Sequence, residues 1–94
     1  MNKTEMTEML SQEVGMTKTD ASEVVDALFG TDRGIITRSL RAGQRVQVTG
    51  FGTFEPRERK ARMGRNPQTG EQIHIPATTV PAFKAGRGLR DAMR

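Results

Sequence analysis

The stretch that most constrains this chain is Phe54 to Pro76, FEPRERKARMGRNPQTGEQIHIP. Its first half carries Arg57, Arg59, Lys60, Arg62 and Arg65 against Glu55 and Glu58, with almost nothing apolar between them. Arg65-Asn66-Pro67-Gln68-Thr69-Gly70 then reads as a turn, because Asn-Pro starts turns and Gly takes positive φ without steric cost. Gln72-Ile73-His74-Ile75 alternates polar and apolar, which is the period of a strand. The whole is expected to be a long basic β-ribbon, the arm of about residues 55–76. Fully extended, Glu55 to Pro67 spans roughly 40 Å at about 3.3 Å per residue. A compact domain of this length has a radius of gyration of only about 12 Å. Such a ribbon has to leave the body, and its charge makes a polyanion its natural target.

The ribbon also limits the core. Only 34% of the 94 residues are hydrophobic, and the ribbon takes more than 20 residues away from any compact body. The remaining ~70 residues build only a marginal core, since small domains bury a limited share of their surface. No cysteine is present, so neither a disulfide nor a thiolate zinc site can help, and oligomerisation is the expected remedy. One domain over 1–94 is expected, with a helical dimerisation part at 1–43 and a sheet, arm and C-terminal helix at 44–94.

Charge is segregated along the chain. Residues 1–42 hold 5 basic and 7 acidic side chains, net −2; residues 43–94 hold 10 and 4, net +6. A polyanionic partner on the C-terminal half follows. No run of ~18 apolar residues exists, and Met1-Asn2-Lys3-Thr4-Glu5 does not open a signal peptide. The expectation is a cytoplasmic protein with no membrane partner.

Met6, Met9, Leu10 and Val14 repeat at helical spacing and predict a helix over 3–14, ended by Gly15. Core packing is the plainer reading of that stripe, a partner groove the other. Thr17-Lys18-Thr19-Asp20 resembles a capping box with Asp in place of Glu and starts the second helix. Ala21, Val24, Val25, Leu28 and Phe29 follow its apolar frame. Gly30-Thr31-Asp32-Arg33-Gly34 then interrupts with poor helix formers, yet Ile35, Ile36 and Leu40 keep the frame. Either one long helix tolerates two glycines, or it breaks at 30–34 and resumes in register.

From Arg45 the period becomes two, giving a strand over Arg45–Thr49. Gly50 and Gly52 allow a tight turn. Pro56 marks an edge or a bend, where the ribbon leaves the sheet. Thr79–Lys84 reads as a last short strand. A helix over Gly86–Ala92 ends the chain, with Leu89 and Met93 facing in and Arg87, Arg90 and Arg94 facing out. The fold class is α+β: two N-terminal helices, a three-stranded antiparallel sheet with a protruding β-ribbon arm, and a short C-terminal helix.

No enzyme is expected. The single histidine, His74, has no nucleophile to activate, and one histidine makes a poor metal site. Glu55 and Glu58 lie among cations, so they tune charge rather than act as an acid–base pair. There is no phosphate-binding G-x-x-x-x-G-K-[ST] loop. No small-molecule substrate or cofactor is implied. Solubilising an edge strand would explain one or two lysines. It does not explain five cations at 57–65, four of them arginine, whose planar fork suits phosphate and narrow minor grooves. Pro67 is either an ordinary turn proline or a rigid wedge for a base step.

Gly50-Phe51-Gly52-Thr53-Phe54, Arg57-Glu58-Arg59, Gly64-Arg65-Asn66-Pro67-Gln68-Thr69-Gly70-Glu71, Ile75-Pro76-Ala77 and Val80-Pro81-Ala82-Phe83-Lys84 together resemble the HU family of bacterial histone-like DNA-bending proteins. Integration host factor is a relative of that family. The resemblance implies an intertwined homodimer whose paired arms reach round duplex DNA at bent, nicked or flexible sites, in association with the nucleoid. It implies DNA contacts by Lys3, Arg57, Arg59, Arg62, Arg65, Asn66, Lys84 and Arg87, which Lys60 and Gln68 join as neighbours on the arm, and intercalation by Pro67. Phe51, Phe54 and Phe83, with Phe29, become dimer-core positions. RNA is a second candidate polyanion, and an acidic protein partner a third. The departure is Gly30 to Arg33, about four residues more than typical members carry. Four residues turn a helix about 400°, so the apolar face survives.

Overall fold

The structure, a computed structural model, describes all 94 residues, 1–94. The chain divides into two compact units, Met1–Ala42 and Gly43–Arg94.

The first unit is helical: α1 (Lys3–Val14), α2 (Lys18–Phe29) and α3 (Ile35–Arg41). Asn2 caps α1, its side chain accepting from the Glu5 N–H at 2.8 Å, and Gly15 ends it in the left-handed region at φ 68°. Thr17 caps α2 by accepting from the Asp20 N–H at 3.1 Å. Ala21 and Val25, one turn apart, are the buried apolar residues of the pair. The methionine stripe of α1 is only partly covered: Met9 and Val14 are exposed, and the buried residue of that helix is Ser11, whose hydroxyl donates to the Glu8 carbonyl.

Of the two alternatives at Gly30–Gly34, the break holds, so three helices stand where two are expected. Neither glycine needs a positive φ. Proximity requires them instead: a Cβ on Gly30 would lie 2.7 Å from the Asp26 carbonyl, and one on Gly34 would run into the backbone of Gly30. The Gly30 carbonyl accepts both the Gly34 N–H, at 3.0 Å, and the Thr37 hydroxyl, at 2.8 Å. Side chains of α3 fasten the loop further, Arg38 donating to the Arg33 carbonyl and Arg41 to the Thr31 carbonyl.

The second unit holds β1 (Val46–Val48), β2 (Gly52–Arg59), β3 (Arg62–Arg65), β4 (Gln72–Ile75), β5 (Thr78–Ala85) and α4 (Arg87–Ala92). β1, β2 and β5 form one antiparallel sheet in that order, and β3 and β4 a separate two-stranded ladder. The last strand is not short: β5 pairs with β2 along its entire length, from Gly52 opposite Ala85 to Arg59 opposite Thr78. Met93 does not face in. α4 ends at Ala92, leaving Met93 beyond the last turn and exposed, while Leu89 is half-buried.

Side-chain alternation gives the sheet two unlike faces. Val46, Phe54 and Phe83 share one, with Phe83 4.8 Å from Phe54 and 5.8 Å from Phe51 between ring centroids. Gly52 is buried beneath Phe83, and a Cβ there would sit 2.5 Å from its ring and 2.6 Å from the Lys84 carbonyl. Glu55, Arg57 and Arg59 share the opposite face.

Candidate nucleic-acid interface

The arm is one hairpin built in two ladders. Pro56 faces Pro81, and neither can donate to the other, so theirs must be a non-hydrogen-bonded pair. Phe54, opposite Val46, is the last β2 residue paired with β1. At Pro56 the strand has therefore become an edge on that side, as its sequence suggests. Counting outward, alternation makes Ala61 and Pro76 a hydrogen-bonded pair, and Pro76 has no N–H to give. The ladder stops at Arg59–Thr78 and reopens at Arg62–Ile75. Register is kept across the gap, since both strands advance three residues. The continuous ribbon expected at 55–76 is thus interrupted at Lys60-Ala61 and Pro76-Ala77, and Lys60, Ala61 and Ala77 border a cleft about 400 Å³ in volume.

Beyond the gap, Arg62 and Arg65 are three residues apart on β3, so they project from opposite faces. The tip is therefore cationic on both sides. Gly64 gives space to Ile75, whose Cδ1 would be 2.7 Å from a Cβ there. At the turn, the Asn66 N–H donates to the Glu71 carbonyl at 2.8 Å and the Gly70 N–H to the Asn66 carbonyl at 2.7 Å. Asn66 Oδ1 accepts the Gln68 N–H at 2.9 Å, closing an Asx turn around Pro67, and Gly70 reverses the chain at φ 73°. The result is an exposed, rigid Pro67 at the outer end of the hairpin.

The expected contact residues fall into two electrostatic groups. Arg59, Lys60, Arg62 and Arg65 are exposed and enter none of the ion pairs. Lys3, Arg57, Lys84 and Arg87 are all held by carboxylates. Lys3 Nζ pairs with Asp26 at 2.5 Å, and Arg87 Nε with Asp91 at 3.8 Å. Arg57 and Lys84 both meet Glu55 Oε1, at 3.0 and 3.4 Å, and Arg45 Nε approaches Oε2 at 3.8 Å. The Arg57 hydrogen bond, with help from Lys84 and against some desolvation, holds the Glu55 carboxyl below the ordinary carboxylate range. Arg45 is the cation that sequence reading passes over. Its signal is parity: two positions before Gln47, it shares that residue's side of the strand.

Of the expected dimer-core aromatics, Phe29, Phe51 and Phe83 are 47, 49 and 43% exposed, and Phe54 is half-buried. No helix is long and apolar enough to cross a membrane.

An α+β chain with an arginine-bearing hairpin is of the class of proteins that bind DNA. Comparison with known proteins makes the class specific. The family described as "Bacterial DNA-binding protein" matches residues 1–94. The DNA-binding protein HU of Geobacillus stearothermophilus is 53% identical over 94 residues, covering all of both chains, and that of Staphylococcus aureus (strain COL) is 51% identical over the same span. Among solved structures, an Anabaena HU–DNA co-crystal aligns with a TM-score of 0.88 at 44% identity, over 99% of this chain and 97% of that one. HU from Thermotoga maritima aligns at 0.67 with 28% identity, over the whole of both chains. The chain belongs to the HU family of bacterial DNA-binding proteins, which are architectural proteins and not enzymes.

Proposed function

We propose that this chain works as a homodimer that binds duplex DNA with little regard to sequence, bending and compacting it within the nucleoid. The two arms lie in the minor groove, where Arg59, Arg62 and Arg65 meet phosphates and groove edges while Pro67 pries a base step apart. Lys60, Asn66 and Gln68 contact the backbone beside them, and Lys3, Arg57, Lys84 and Arg87 line the path along the body. Phosphate contacts carry most of the affinity, so preference goes to DNA that is already bent, nicked or flexible, where deformation costs less.

The observation that carries this reading is the tip. An exposed proline locked by an Asx turn, between arginines on both faces, is suited to unstacking a step at a cost of a few kcal/mol. A-form RNA presents a wide, shallow minor groove instead, so the same wedge favours DNA. The exposed Phe29, Phe51 and Phe83, with the half-covered stripe of α1, support dimerisation, because a monomer would leave that apolar surface in water.

Pro67→Ala tests the wedge. It is expected to reduce the bending of an intact duplex more than it reduces binding to a nicked one, measured by energy transfer between end labels and by gel shift. Unchanged bending sinks the wedge.

A further inference from the structure

Glu55 is the carboxylate of the β1–β2–β5 sheet that is paired with cations, and its setting is unusual within this chain. Its side chain is 17% exposed, whereas Asp26, Asp32 and Asp91, the other paired carboxylates, are at least half exposed. It also meets three cations, Arg45, Arg57 and Lys84, from three strands or their approaches. The register explains the convergence. Glu55 stands opposite Ala82, whose methyl leaves room on that face. Lys84, opposite Thr53, is its diagonal neighbour, and Arg57 follows two residues along the same strand. The three cations are themselves more than half exposed, and pairs with so open a partner add little to stability, so holding the fold together is a poor reason for gathering three of them.

We propose that Glu55 is a built-in counter-anion that competes with DNA phosphates for Arg45, Arg57 and Lys84. The inference rests on the DNA-binding reading above and deepens it. Three cations sharing one carboxylate offer a net charge of two to the duplex, and each can gain a phosphate only by giving up or sharing Glu55. The effect is to lower affinity and weaken its salt dependence, so that the protein leaves DNA readily. Glu58, on the same strand, holds no cation. It is therefore the control for loss of a negative charge alone.

The experiment measures affinity for a labelled random-sequence duplex by fluorescence anisotropy at several salt concentrations. It compares the unaltered protein, Glu55→Gln, Glu58→Gln, Arg57→Ala/Lys84→Ala, and Glu55→Gln in that last background. Glu55→Gln is expected to bind roughly tenfold tighter at about 0.1 M salt, with the log–log slope steeper by about 0.9 per protomer. The gain is expected to fall below about twofold once Arg57 and Lys84 are gone, while Glu58→Gln shows no such coupling. An equal gain in both backgrounds would mean simple repulsion and overturn the proposal. Weaker binding with an unchanged slope would also overturn it, because Glu55 would then be needed only to build the face. Glu55→Ser supplies the same comparison should the glutamine variant fail to fold. If the unaltered protein shows no salt-dependent binding, the DNA-binding reading itself falls, a result distinct from either of these.

Discussion

Salt dependence gives the sharpest quantitative test of the interface, because the structure separates free cations from paired ones. Arg59, Lys60, Arg62 and Arg65 carry no internal counter-charge, so each can release a condensed counterion when it meets a phosphate. In the proposed dimer two arms present eight such groups, and at about −0.9 per neutralised phosphate the slope of log K against log salt should be about −7. Affinity should then fall by about 10⁴ between 50 and 200 mM salt. Were Lys3, Arg57, Lys84 and Arg87 equally free, the slope would approach about −14. Arg59→Ala removes one free cation per protomer and should flatten the slope by about 0.9 for each arm engaged. Arg87→Ala, which removes a cation already paired with Asp91, should change it less. Anisotropy titrations on one duplex between 50 and 300 mM salt provide the measurement. A slope shallower than about −3, or an Arg59→Ala slope equal to that of the unaltered protein, would refute the assignment of the arm cations to phosphate.

Three further outcomes follow from the packing and the charges. Gly34→Ala has no space for its Cβ against the Gly30 backbone, so it should destabilise the fold by about 1–3 kcal/mol, as overpacking does; a thermal midpoint equal to that of the unaltered protein would show that the α2–α3 turn adjusts freely. Sedimentation should find no folded monomer at micromolar concentration, since so much apolar surface is left for a partner; a stable, folded monomer there would end the dimer argument. Because the folded-state carboxyl of Glu55 titrates below its ordinary value of 4.5, the stability it adds is complete above that pH and is lost as the pH falls through the lowered value. Glu55→Gln should therefore lose less of its thermal midpoint than the unaltered protein between about pH 6 and 3, and equal losses would show that the ion pairs contribute nothing.

Local chemistry was the legible part. Thr17 before one helical frame, and Gly15 after another, leave few alternatives for the start of α2 or the end of α1. The Asn66–Gly70 turn likewise follows from residue types alone. The break at 30–34 was not legible, because Ile35, Ile36 and Leu40 continue the frame whether the helix bends or not. What decides it is the approach of the Gly34 backbone to Gly30, a contact that periodicity does not encode. Pro56 and Pro76 look alike in sequence, but one sits in a non-hydrogen-bonded pair and the other where the ladder needs an N–H. Only the register separates them. Glu55 could be read as tuning charge, while the identity of the cations it holds depended on which strands lie beside it.

The sequence by itself determined the basic arm, its proline-bearing turn, the helical and sheet halves, and a small apolar core. Those features follow from side-chain charge, backbone restriction and hydrophobic count, which act over a few residues or over the whole composition. Tertiary structure decided where the helices break, where the arm's ladder is interrupted, and which cations are free and which are held. Such properties depend on distances between residues far apart in the chain: Arg45, Glu55 and Lys84 become neighbours only when three strands are laid side by side.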